Sequence, residues 1–189
     1  MSVRKQLTET GGVYFITFTC VRWLPLIQLV NGYDLIYKWF DYLKSKGHYI
    51  ISYVLMPNHI HVMIAFRMNS DINFIVGTGK RLLAYGFIKR LKIIERYDIL
   101  ELLNKWVSCS QQKSGKLHQV FQPSFDMKEC RTISFMKQKA NYIHYNPCRA
   151  RLVKIPEEYL HSSAGYYYTG IQGIYDVITY MEVQDIDLN

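Results

Sequence analysis

The segment Tyr53 to Ile64, YVLMPNHIHVMI, restricts this chain more than any other stretch. It lies inside two strand-type runs, Tyr49 to Met56 and His59 to Phe66, separated only by Pro57 and Asn58. So short a turn between runs of β-branched and aromatic residues predicts a β-hairpin. Side chains alternate along a strand, so Ile60, Val62 and Ile64 share one face and His59 and His61 share the other. The apolar set can pack under helices while the histidines face a cleft. Two residues of strand span roughly 6.6 Å, which lets two imidazoles on one face converge on a single metal ion.

The rest of the chain supplies partners for that hairpin. Val13 to Val21 (VYFITFTCV) reads as a buried strand. Asp34 to Lys46 places Ile36, Phe40 and Leu43 on one helical face, with Gly47 positioned to end the helix. Ser70 or Asp71 can cap a helix running towards Ile94, although Gly77, Gly79 and Gly86 weaken its propensity. Ile99 to Trp106 reads as a short helix and Gln111 to Lys116 as a loop. Val120 to Met127 reads as a strand, which Pro123 assigns to an edge or a bulge. Thr132 can cap a helix running to about Tyr145 and stopped by Pro147. Strand, helix, strand, strand, helix, strand, helix is the split βαβ order, so the expected class is α+β. The expected architecture is a ferredoxin-like sandwich with an antiparallel sheet and an added C-terminal helix. The 189 residues read as a single domain, with a core at about 13–165 and an unassigned tail at 166–189.

Composition bounds the partner. A net charge of +8 favours a polyanion, because each neutralised phosphate releases counterions. The 16 tyrosines, 9 phenylalanines and 3 tryptophans exceed what a core needs, so some rings reach the surface, where bases can stack on them. Cys20, Cys109, Cys130 and Cys148 form no CxxC pair, so neither a zinc knuckle nor a disulfide framework is indicated. No apolar stretch is long enough for a membrane span, and no secretory signal is visible at the start. The expected compartment is the cytoplasm.

A second chemical segment lies at Gln138 to Val153, QKANYIHYNPCRARLV. On a helix, Tyr142 shares a face with Gln138 and Asn146. Tyr142 offers a phenol oxygen able to attack phosphorus, and Asn146 offers an amide oxygen able to complete a metal site with the two histidines. Tyr145 lies on nearly the same face, so spacing does not choose between the tyrosines. A tyrosine ester of phosphate retains the energy of the broken bond, so a free hydroxyl can reverse the attack. A free tyrosine, of pKa about 10, is only about one part in a thousand ionised at neutral pH, so its surroundings must help.

YVLMPNHIHVMI at 53–64 and NYIHYNPCRARLV at 141–153, in that order, resemble the single-tyrosine HUH transposases, in which two histidines flank a hydrophobic residue. The REP-associated tyrosine transposase branch is the nearest match. YFITFTCV near the start and FQPSFDMKE at 121–129 also look like family segments, and the similarity runs from about residue 13 to about 165. The resemblance implies that His59 and His61 bind metal, that Tyr142 rather than Tyr145 is the nucleophile, and that Asn146 is the third ligand. It further implies magnesium or manganese as cofactor, and hairpin ends of mobile or repeated DNA as substrate. Relatives include monomers and dimers that exchange tyrosine helices, so a homodimer is among the expected states. His144 and Arg151 depart from the family pattern, which more often carries asparagine and glycine there.

The expected function is therefore cleavage and rejoining of single-stranded DNA through a 5′-phosphotyrosine. Lys80, Arg81, Lys89, Arg90, Arg149 and Arg151 are the expected phosphate contacts. Two rivals stand beside it: a non-catalytic nucleic-acid-binding module on the same fold, and a metal-dependent nuclease that uses water.

Overall fold

The computed structural model describes residues 11–113 and 115–188. β1 (Gly12–Thr19) leads through a 3-10 turn, Val21–Trp23, into the short α1 (Leu26–Leu29) and then α2 (Tyr33–Ser45). β2 (Tyr49–Leu55) and β3 (His59–Phe66) form the expected hairpin. α3 (Ile72–Ile93), α4 (Tyr97–Lys105) and α5 (Cys109–Lys113) precede β4 (Asp126–Glu129). α6 (Ile133–His144), α7 (Asn146–Arg149) and α8 (Ala164–Thr169) follow. The sheet order is β2-β3-β1-β4 with every pairing antiparallel, the ferredoxin-like arrangement.

β3 is central, and all eight of its residues are buried. Ile60, Val62, Ile64 and Phe66 join Tyr14, Ile16 and Phe18 of β1 under α2 and α3. Met63 and Ala65 join Val13 and Phe15 on the opposite face, covered by Met136, Ala140 and Ile143 of α6. A β-bulge between Ile50 and Ser52 shifts the register of β2, so Ile50 and Tyr53 both reach the α2/α3 side despite their odd spacing. The histidine face is thus a packed face, with α6 laid across it.

Local signals set several boundaries. Asp71 accepts a hydrogen bond from the Phe74 N–H at 2.9 Å, and Thr132 accepts one from the Phe135 N–H at 3.2 Å, each closing a helix N-terminus. Pro147 offers no N–H, so the tyrosine helix ends at His144 and Asn146 opens the separate turn α7.

Three expectations change. The strand expected at Val120 to Met127 begins only at Asp126, with Cys20 and Phe121 meeting in an isolated bridge. Pro123 cannot donate to a ladder, and the carbonyls of Gln122 and Ser124 instead accept from the Lys80 ammonium. The expected loop at Gln111 to Lys116 overlaps α5. The unassigned tail and the residues just before it run along the β2 edge: the Leu55 N–H donates to the His161 carbonyl, the Ser163 N–H to Tyr53 and, within the tail, the Ile178 N–H to Ile50. Among the described residues no helix is long and apolar enough to cross a membrane.

Candidate active site

His59 and His61 open the covered face of β3, and their rings stand 4.7 Å apart between centroids. Each is fixed by a neighbour. Nδ1 of His59 donates to Oδ1 of Asn58 at 2.7 Å, while Nδ2 of Asn58 donates to the Trp23 carbonyl at 3.3 Å and so sets the amide's direction. Nδ1 of His61 shares a 2.6 Å hydrogen bond with Oγ1 of Thr17, its register partner on β1. With Nδ1 engaged in both rings, Nε2 is the atom left to bind a cation. Burial holds both imidazoles below the ordinary histidine pKa. His61 falls to about 3 through burial first, then the nearby His59 and Lys139. His59 is also lowered by burial, against which Asn146 acts. Both rings are neutral near pH 7, the form a metal takes.

α6 brings the phenol to them. The ring of Tyr142 lies 5.1 Å from that of His61, at 71° to it, and 5.9 Å from Phe15, which itself stacks on His61 at 5.6 Å. Tyr145 makes no ring contact with either histidine among the described residues; its interaction is with Tyr168. Packing thus separates two tyrosines that helical spacing left equivalent. Tyr142 remains about one-third exposed, at 36%.

Oδ1 of Asn146 sits 3.2 Å from Nε2 of His59. The same oxygen works against burial in setting the His59 pKa, so the two side chains are within hydrogen-bonding reach. Adjacent ligands on an octahedral cation with bonds of about 2.1 Å stand about 3 Å apart, so this pair has the spacing of two ligands sharing an ion. The donor set of two imidazoles and one amide is uncharged, and no group of three or more His, Cys, Asp or Glu suited to a metal occurs among the described residues. Such a set could hold a divalent ion.

On the solvent side of α6 a cleft of about 310 Å³ is lined by Gln138, Lys139, Asn141, Tyr142, Tyr145 and Arg149. The Lys139 ammonium lies 5.0 Å from the Phe15 ring centroid, 5.1 Å from Phe135 and 5.8 Å from Tyr142. The Arg149 guanidinium lies 5.2 Å over the Tyr142 ring. Two cations therefore lie within 6 Å of the Tyr142 ring centre. Lys139, Thr17 and Asn58 escaped the sequence reading. Lys139 was findable, since it stands one helical turn before Tyr142. Thr17 was not, because its role depends on the β1–β3 register.

The other expected phosphate contacts divide. Lys80 is a correction: it is buried, at 8% exposure, with Nζ donating to the carbonyls of Gln122 and Ser124, so its ammonium serves the fold rather than a surface. Arg90 is half-buried and already partnered, donating to the carbonyls of Val30 and Asn31 and to Oδ2 of Asp34 at 2.6 Å. Arg81 and Lys89 are exposed, but on α3, across the sheet from Tyr142. Arg151 is exposed just beyond α7, with a left-handed φ of 58°. His144 points inward, sharing a 2.9 Å hydrogen bond with Oγ of Ser163.

No protein-family model matches the chain, and no curated protein matches it. Among solved structures, it is similar to a REP-associated tyrosine transposase bound to a REP hairpin, at 18% identity and a TM-score of 0.62, over 92% of this chain and 90% of that one. It shares that fold. A protein of Deinococcus radiodurans R1, provisionally assigned as a transposase, matches at 14% identity over 76% of this chain and 95% of its own. Its TM-score is 0.41.

Proposed function

We propose that the chain is a metal-dependent tyrosine transposase of the REP-associated type, cleaving and rejoining single-stranded DNA at hairpin ends. The observation that carries this reading is the meeting of Tyr142 with His61, and of Asn146 with His59, from elements more than eighty residues apart. A histidine pair alone, or a tyrosine alone, has many ordinary explanations. Their convergence beside Tyr142, which with Lys139 and Arg149 also lines a solvent-facing cleft, on a fold shared with a hairpin-bound transposase, favours phosphoryl transfer.

In the proposed reaction, Oη of Tyr142 attacks a phosphodiester, the bond to the 3′ oxygen breaks, and a 5′-phosphotyrosine forms as a 3′-hydroxyl departs. Attack by that hydroxyl, or by another, on the phosphotyrosine restores a DNA bond and the free tyrosine. Phe15 holds the nucleophile's ring against His61. Lys139 and Arg149 offer positive charge close to the Tyr142 ring, near where a phosphate must lie to be attacked. His59, His61 and Asn146 would hold Mn²⁺ or Mg²⁺, with the imidazoles leaning towards manganese. That ion supplies Lewis-acid polarisation of the phosphate oxygens. Asn58 and Thr17 keep both imidazoles oriented for it.

The test is covalent capture of a hairpin oligonucleotide with a single-stranded flank, read on a denaturing gel. Wild-type protein with Mn²⁺ is expected to give a shifted adduct, and Tyr145→Phe to keep it. Tyr142→Phe and chelation by EDTA are each expected to abolish the adduct while leaving DNA binding in place. Cleaved DNA without an adduct would instead identify a water-using nuclease, and binding without cleavage a non-catalytic module.

A further inference from the structure

Immediately after β1 the backbone does something costly. Arg22 lies at φ 49° and ψ 29°, and Trp23 follows at φ 60°, so two successive residues with side chains occupy the left-handed region. Residues with a Cβ persist there only where their surroundings hold them. The surroundings do so here. The Cys20 N–H donates to the Asn58 carbonyl and the Val21 N–H to Val120, both at 2.8 Å, while the Trp23 N–H donates back to Cys20 at 3.1 Å. The Trp23 carbonyl then accepts from Asn58, the residue that orients His59.

The product of this turn is an indole held out of the core. Trp23 is 58% exposed, whereas Trp39 is buried and Trp106 half-buried beneath the Arg22 guanidinium. Hydrophobic burial alone would send the largest apolar side chain inward. Trp23 instead meets the His59 ring at 5.5 Å and 74°, an edge contact that leaves indole surface to solvent. Successive ring contacts run from Trp23 to His59, then His61, then Tyr142, so the indole and the phenol bracket the histidine pair.

We infer that Trp23 is a stacking platform for one unpaired base of a DNA single strand, fixing the nucleotide beside the phosphate that Tyr142 attacks. This rests on the DNA-cleaving reading above. A flat exposed ring on a rigid turn suits any base, because every base presents a π-face, while a phosphate contact would call for a cation. Trp23 would thereby set how far the strand enters the site, which is a positioning role.

Intrinsic fluorescence and anisotropy titrations of the full-length protein with the same flanked hairpin test it without requiring turnover. DNA is expected to quench wild-type tryptophan emission. Trp23→Phe is expected to lose most of the quench yet bind within about threefold of wild type, and Trp23→Ala to bind on the order of tenfold more weakly. Both variants are checked for an unchanged thermal melt, and if the alanine variant unfolds, the phenylalanine variant's quench still decides. Quenching in Trp23→Phe equal to wild type, or alanine affinity within about twofold of wild type, would overturn the platform while leaving the transposase reading intact. Wild-type protein that binds no DNA at all would sink both.

Discussion

His61 and His144 are buried imidazoles with different jobs. His61 faces Thr17 and Tyr142, whereas His144 ties α6 to Ser163, whose Oγ also accepts from the Tyr53 N–H at 2.9 Å. Burial brings both down to about 3. A folded-state pKa below the unfolded value means that the unfolded chain binds more protons. Stability is therefore full above about pH 6.5 and is lost as pH falls towards about 3, by up to about 1.4 kcal/mol per pH unit for each histidine. Denaturant unfolding across pH 7 to 5 is expected to show that decline, and His144→Gln to flatten it while starting from lower stability at neutral pH. A variant slope equal to wild type would remove His144 from the account.

At the scale of elements, α3 explains its own glycines. A Cβ at Gly79 would run into the Trp39 indole of α2, and one at Gly86 would meet Cδ1 of Leu35 at 2.7 Å, so both permit the helices to approach closely. Gly77 has open space around it. Glycine costs a helix roughly 1 kcal/mol relative to alanine, so alanine at Gly77 is expected to stabilise by about 0.4–1 kcal/mol. Alanine at Gly79 is expected to destabilise by about 1–3 kcal/mol, since overpacking outweighs propensity. Opposite shifts in unfolding midpoint for two substitutions two residues apart are the measurable outcome; shifts of the same sign would contradict the packing.

Across the whole molecule, the sheet separates two basic surfaces, one on α3 and one beside Tyr142. If the single strand lies along the tyrosine side, the salt dependence of binding reports which cations touch phosphate. Loss of one contact to single-stranded DNA lowers the slope of log affinity against log salt by roughly 0.7. Arg149→Ala and Lys139→Ala are each expected to do so. Lys80→Ala is expected to leave the slope unchanged and to lower thermal stability instead, because its charge is spent on two internal carbonyls. An Lys80 variant that changed the slope would return that residue to the surface set.

The amino-acid sequence by itself determined what nearest neighbours decide. Alternation put His59 and His61 on one face, helical spacing set α2, and cap residues (Ser70 or Asp71, and Thr132) marked the starts of α3 and α6. These are short-range effects, legible in a window of a few residues. Only the tertiary structure decided that Tyr142 rather than Tyr145 meets the imidazoles, that Thr17 and Asn58 orient them, that Lys80 goes inward and that Trp23 stays out. Two side chains some 60° apart around a helix are nearly equivalent until a second element packs against one of them. That choice belongs to strand order and register, which bring together residues dozens of positions apart.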